Sequence, residues 1–212
     1  MSKEKKNIAD HPFFVWMGFV GDVAALSVLW LVCCIPLVTI GASTTAAFFV
    51  AGKMAAKDDY LIIRDFLAAL KRDWKQATVL WGILAVVAVL IVTDYQIGLA
   101  NPGSLGGALI AVSAALGVCL ISVVGASFSL LGRFSYPGVR AVLADAVRLC
   151  LANPATMLLW LGLVLWPPVS YCFIPAVFFY LRLPWLFLGG GTCITAFSFA
   201  IRPFFRKLEK KR

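Results

Sequence analysis

Acid–base chemistry has little to work with in this chain. Histidine occurs once, at His11, and Asp and Glu together number 10 in 212 residues. A lone imidazole in a charged N-terminal stretch has no second imidazole with which to share a metal ion. No serine stands in a Gly-x-Ser-x-Gly elbow. No glycine run is followed by the Lys-Ser or Lys-Thr of a nucleotide loop. Gly189, Gly190 and Gly191 fall inside an apolar stretch, where close helix packing is the expected role. Asp58 and Asp59 are adjacent carboxylates, but at a helix start they read as caps. The chain is therefore expected not to be an enzyme and to need no cofactor. Its six cysteines (33, 34, 119, 150, 172 and 193) lie in or beside apolar stretches without paired metal-ligand spacing. They read as reduced, buried small residues, not as a disulfide framework.

Charge of either sign is also sparse. Only 14% of residues are charged and 62% are hydrophobic, against about 25% and about 45–50% in soluble domains. The apolar excess is gathered into stretches of about twenty residues, which a bilayer span requires and a soluble core does not. What charge there is follows a pattern. Lys53, Lys57, Arg64, Lys71, Arg72 and Lys75 form one basic cluster, and Arg133, Arg140 and Arg148 a second. Arg202, Arg206, Lys207, Lys210, Lys211 and Arg212 form a third, while residues 93–105 and 166–175 hold neither Lys nor Arg. Alternation of this kind is the positive-inside pattern of a polytopic helical membrane protein. The net charge of +9 then points to anionic lipid headgroups as partner, and not to nucleic acid. No cleavable signal peptide is expected, because residues 2–10 are too charged to belong to a hydrophobic region.

The fold class expected is all-α: a polytopic helical membrane bundle in one domain, residues 1–212, with five spans. Residues 1–21 form an N-terminal tail and interfacial segment anchored by Trp16. The first span runs from about Asp22 to Val50, bent at Pro36, where the ring removes an intrahelical hydrogen bond. A hairpin at residues 36–41 gives six spans instead, but its return arm, residues 42–54, is only about 20 Å long. Residues 58–75 form an amphipathic interfacial helix capped by Asp58 or Asp59. Ile62, Ile63, Phe66, Leu67, Leu70 and Trp74 line one face, and the charges lie on the other. A span follows over residues 77–93, then a turn at 101–104 with Ser104 as N-cap of the next span, residues 105–131. A second amphipathic interfacial helix covers residues 138–150. Asn153 and Pro154 open a fourth span, broken near Pro167 and Pro168. The last span runs from about Pro175 to Ile201, before a basic cytoplasmic tail at 202–212.

The segments repeat. Gly41-Ala42-Ser43, an amphipathic helix and Ala77-Thr78-Val79-Leu80-Trp81 make one copy. Gly125-Ala126-Ser127, an amphipathic helix and Ala155-Thr156-Met157-Leu158-Leu159-Trp160 make the other. Repeat 1 occupies residues 22–95 and repeat 2 residues 104–172. Both amphipathic helices fall on the basic side, so the repeat is parallel. With five spans and a cytoplasmic C-terminus the N-terminus is outside, which Lys3, Lys5 and Lys6 contradict. Six spans would put every basic cluster inside. Three charges fall at membrane depth, Asp22, Asp94 and Arg182, all in the outer half of a five-span bundle. Such charges are costly unless paired, and Arg182 is expected to pair with Asp22 or Asp94.

Pro36, Thr39, Ile40, Gly41, Thr44, Thr45 and Ala46 are followed by Asp65, Phe66, Lys75, Gln76 and Ala77. By these positions residues 27–97 resemble the YesL family of predicted bacterial integral membrane proteins. It implies a multi-pass protein of a bacterial plasma membrane, with no established activity. It also implies an accessory role in carbohydrate uptake, with sugar-transporter subunits or further copies of the chain as partners. The competing expectation is a small transporter with a polar site between the repeats. A polar cavity lined by Thr44, Ser127 and Arg182 would mark the transporter, and a dry bundle with an exposed cytoplasmic groove would mark the accessory protein.

Overall fold

A computed structural model describes residues 12–101, 103–173 and 175–209, with side chains from residue 16 onward except 167–187 and 207–209. Among the described residues all regular structure is helical. The helices are α1 (Pro12–Cys34), α2 (Ile40–Ala56), α3 (Ile62–Ala100), α4 (Ser104–Arg133), α5 (Val139–Ala152), α6 (Pro154–Phe173) and α7 (Pro175–Glu209). α1, α2 with the turn before it, α3 and α4 are each long and apolar enough to cross a membrane. The bent pair α5 and α6 makes a fifth such unit. This is the character of a multi-pass membrane protein.

The first apolar stretch is not one bent span. α1 ends at Cys34, Pro36 is extended, a 3-10 turn covers Leu37–Thr39, and α2 then starts at Ile40. Pro36 disfavours helix at the residue before it. Two hydroxyls hold the reversal, since Thr39 and Ser43 both donate to the carbonyl of Cys33, at 2.6 and 2.9 Å. α2 runs back along α1: Trp30 Nε1 donates to Thr44 Oγ1, and further down Tyr60 donates to Asp22. The expected interfacial segment before residue 22 is the continuous first half of α1. The return arm does not have to face lipid along its length, because α1, α3, α4 and α7 all pack against it. Eleven of its residues are buried, among them Ser43, Thr45, Phe48 and Val50.

α3 is the second departure. The amphipathic stretch and the apolar span after it form one unbroken helix of 39 residues, about 58 Å long. Its first half lies antiparallel to α2, and its second half pairs with α4, closely where Gly98 meets Gly106 and Ile110. Neither Asp58 nor Asp59 caps it. The N-cap is Leu61, whose N–H is bonded instead by the Asp65 carboxylate folding back from the first turn, at 3.1 Å. Gly103, not Ser104, is the N-cap of α4, and its φ of +150° is open to glycine and strained for other residues.

The second amphipathic helix is where the periodicity puts it. α5 buries Val142, Ala146 and Leu149, and turns Arg140 and Arg148 outward. It meets α6 at 100°, with Asn153 and Pro154 at the corner. α6 continues as helix through Pro167 and Pro168, where a break was expected, to Phe173, one residue past the expected end at Cys172. α7 starts at Pro175 as expected but continues past Ile201 and Pro203 to Glu209.

Small residues set the closest approaches. A Cβ on Gly41 would stand 2.5 Å from Ala77 O and 2.7 Å from Trp81 Cβ. One on Gly125 would stand 2.5 Å from Trp160 Nε1. The glycine run of α7 also packs as expected: a Cβ on Gly190 would meet the Trp30 ring, and Gly191 N donates to Ser27 Oγ at 3.1 Å. Phe48, Trp160 and Phe197 meet in tilted and edge-to-face contacts with ring centroids 4.9–5.9 Å apart.

Candidate functional site

One end of the bundle gathers the basic residues. Lys53 Nζ is 2.9 Å from Asp65 Oδ2, and Gly52 faces Arg133. Arg202 donates to the last carbonyl of α2, Ala56 O, at 3.0 Å, where a cation also complements the helix C-terminus. Arg133 lies over the ring of Phe205, and Lys53 and Arg72 flank Phe49 at 5.3 and 5.0 Å. Contacts of this type contribute about 0.5–1 kcal/mol at exposed sites. Between Arg133 and Arg202 a recess of about 10 Å³ is lined by Ser129 and Ser198, which is room for about one water molecule.

The connection between α2 and α3 is the most constrained part of this end. Lys57 closes α2 in the left-handed conformation, at φ 57°, and Asp58 N donates to Lys53 O. Tyr60 then turns back to α1 and donates to Asp22 Oδ2 at 2.6 Å. Burial, followed by the hydrogen bond to Asp22 and its charge, pushes the Tyr60 phenol up to about 12. Asp65 receives both Leu61 N–H and Lys53. The short connection is thus tied to three helices by two carboxylates.

Two open grooves flank it. One, of about 720 Å³, is lined by Asp22, Ala25, Tyr60, Ile63 and Arg64. The other, of about 610 Å³, is lined by Lys53, Asp59, Tyr60, Arg64 and Asp65. Tyr60, Leu61 and Arg64 form the ridge between them. Leu61 and Ile63 are 62% and 65% exposed there. Carboxylate, guanidinium and bare aliphatic surface side by side are what a polypeptide can use. Among the described residues no three His, Cys, Asp or Glu side chains come together to hold a metal ion.

The residues expected at membrane depth are dispersed. Asp22 belongs to the basic end, bound by Tyr60. Asp94 is exposed, about 48 Å further along α3 than its first residue. The two cannot share one arginine, and the Arg182 side chain lies outside the described residues. Pro36, Gly41, Thr44 and Thr45 are in the α1–α2 reversal and the first turns of α2, where they serve packing. Thr44 donates to Ile40 O, and Thr45, fully buried, donates to Gly41 O. Phe66 is wholly buried, and Lys75 is exposed beside the Trp74 ring. None of the described cavities is lined by Thr44 or Ser127.

Sequence reasoning missed Tyr60, and it placed Lys53 and Arg202 in basic clusters without their partners Asp65 and Ala56 O. Only the place of Tyr60, one phenol in a short polar connection between two apolar helices, could have signalled it.

A family described as proteins of unknown function, DUF624, matches residues 23–95. That stretch begins one residue after Asp22 and holds the whole α2–α3 connection, with Lys53 on α2 and the Asp65 carboxylate on α3. No curated protein and no solved structure matches the chain.

Proposed function

We propose that this chain is a YesL-like accessory protein of a bacterial plasma membrane, which docks a partner of the carbohydrate-uptake machinery on its basic end. One observation carries the reading: the grooves beside Tyr60 and Arg64, with exposed Leu61 between them and exposed Ile63 in one, open at that end. The matched stretch, residues 23–95, contains the whole ridge. The aromatic contacts of Phe48, Trp160 and Phe197 and the internally bonded hydroxyls of Thr44 and Thr45 favour this over a transport path, while the buried Ser127 hydroxyl has no partner among the described residues. The link to carbohydrate uptake rests on the YesL resemblance. The reading assigns the chain no catalysis and no cofactor of its own.

In the topology that goes with it, α1 and α2 form an antiparallel hairpin, six helices cross or enter the bilayer, and α5 lies along the cytoplasmic surface. Both chain ends then share the cytoplasmic side with every basic cluster, anionic headgroups facing them. The Tyr60–Asp22 bond, which draws the middle of α1 to the basic end, supports this arrangement. The reading keeps the parallel repeat in a weaker form, as a proposal. Gly41 against Trp81 and Gly125 against Trp160 are equivalent contacts, while α3 stays straight where α5 and α6 bend.

The test is a pull-down from native membranes. Sugar-transporter subunits should copurify with the wild-type chain, and Arg64→Glu with Leu61→Asp should lower their recovery at least fivefold without changing the amount of chain in the membrane. Sugar uptake by the purified chain alone in proteoliposomes, with no transporter subunit recovered, would overturn the reading.

A further inference from the structure

A groove between α1 and α7 plays no part in the docking surface. It encloses about 430 Å³ and is walled by Phe19 and Val23 on α1 and by Leu188, Thr192, Ala196 and Phe199 on α7. Its two hydroxyls are turned into their own helix: Thr192 donates to Leu188 O and Thr195 to Gly191 O, both at 2.7 Å. The wall therefore offers an occupant apolar contact only. Along α7 it runs from Leu188 to Phe199, about 16 Å. Half of a hydrocarbon core of about 30 Å is nearly the same length, so the groove matches the acyl chain of one leaflet.

Its Phe199 end is the basic end of the molecule. Trp16, one turn before Phe19, is 65% exposed there, as an aromatic residue at headgroup level is expected to be. Arg206 is exposed two turns beyond Phe199 and falls on the same face by helical spacing. An apolar slot one leaflet long that ends at an indole and a guanidinium has the chemistry of a phospholipid, chain first and phosphate last. We propose that the α1–α7 groove binds one acyl chain of an anionic phospholipid of the cytoplasmic leaflet, whose phosphate is met by Arg206. The proposal rests on the membrane-spanning reading of the chain, and not on the docking of a transporter partner.

Native mass spectrometry of the purified chain, exchanged into micelles with equal phosphatidylglycerol and phosphatidylcholine, tests it. The wild type should retain one phosphatidylglycerol under activation that strips the rest. Thr192→Phe, which fills the slot, should lower that occupancy at least fivefold for either lipid. Arg206→Gln should keep a bound lipid but reduce the preference for phosphatidylglycerol at least threefold. Val112→Phe, on an exposed face of α4, should change neither. Full occupancy in a Thr192→Phe protein that melts like the wild type would overturn the proposal. So would an unchanged headgroup preference in Arg206→Gln, which remains decisive if Thr192→Phe fails to fold. Loss of transporter copurification leaves both readouts unmoved, so the two readings fail separately.

Discussion

Tyr60 is the residue on which three helices converge, and its chemistry gives a pH signature. The hydrogen bond to a carboxylate is worth about 1.5–3 kcal/mol when well buried, and less at this half-exposed site. Tyr60→Phe should therefore cost about 1–2 kcal/mol at neutral pH. The phenol is raised from 10.0 to about 12, so the folded state favours its neutral form. The stabilisation is then complete below about pH 10 and fades as pH rises to about 12. Melting temperatures of the wild type and Tyr60→Phe should differ at pH 8 and converge towards pH 12. A constant gap would show that folding does not raise the phenol. Asp22 itself was legible as an unusual charge, but not its partner. Hydrophobic pattern puts a carboxylate at a depth, whereas a partner 38 positions away depends on how two helices reverse.

Elements were read best where periodicity alone decides them. α5 emerges nearly as its stripe of Val142, Ala146 and Leu149 requires, and α6 starts at Pro154 as expected. The reading failed where a helix continued through a change of environment. Residues 62–76 and 77–100 differ in polarity, yet nothing between them breaks a helix, and Ala77 is a strong helix former. It failed again at residues 35–39, where two hydroxyls on one carbonyl replace helical hydrogen bonds. That arrangement makes its own prediction. Thr39→Val and Ser43→Ala should each cost about 1 kcal/mol, since the other hydroxyl still serves Cys33 O. The double variant leaves that carbonyl without either bond and should lose more than the sum, by about 0.5 kcal/mol or more. Thermal melts of the four proteins in one detergent measure the difference. Strict additivity would mean that the turn is held by packing alone.

For the whole molecule, composition and the charge pattern were enough to read an all-helical chain built for a membrane. Neither settled the path of its first third, because an interrupted apolar stretch of 38 residues, 13–50, fits both a bent span and a hairpin. The hairpin carries a labelling prediction. With a membrane-impermeant maleimide on a background lacking the six native cysteines, Trp16→Cys and Lys57→Cys should react from the same side. Asn101→Cys should react from the opposite one. Trp16→Cys and Asn101→Cys labelled together would restore the bent span.

The enclosed position of α2 bears on how the chain is made. Of its apolar window 56% is covered by protein, against 17% for the windows in α1 and α3 and 11% for that in α4, and it is the least apolar of the four. Lipid is a poor first home for such a segment, which emerges from the ribosome before α3, α4 and α7. Release of α2 sideways from the insertion machinery should therefore wait for α3, making the pair the unit of insertion. Its later sequence drift would then be limited by side-chain volume more than by oiliness.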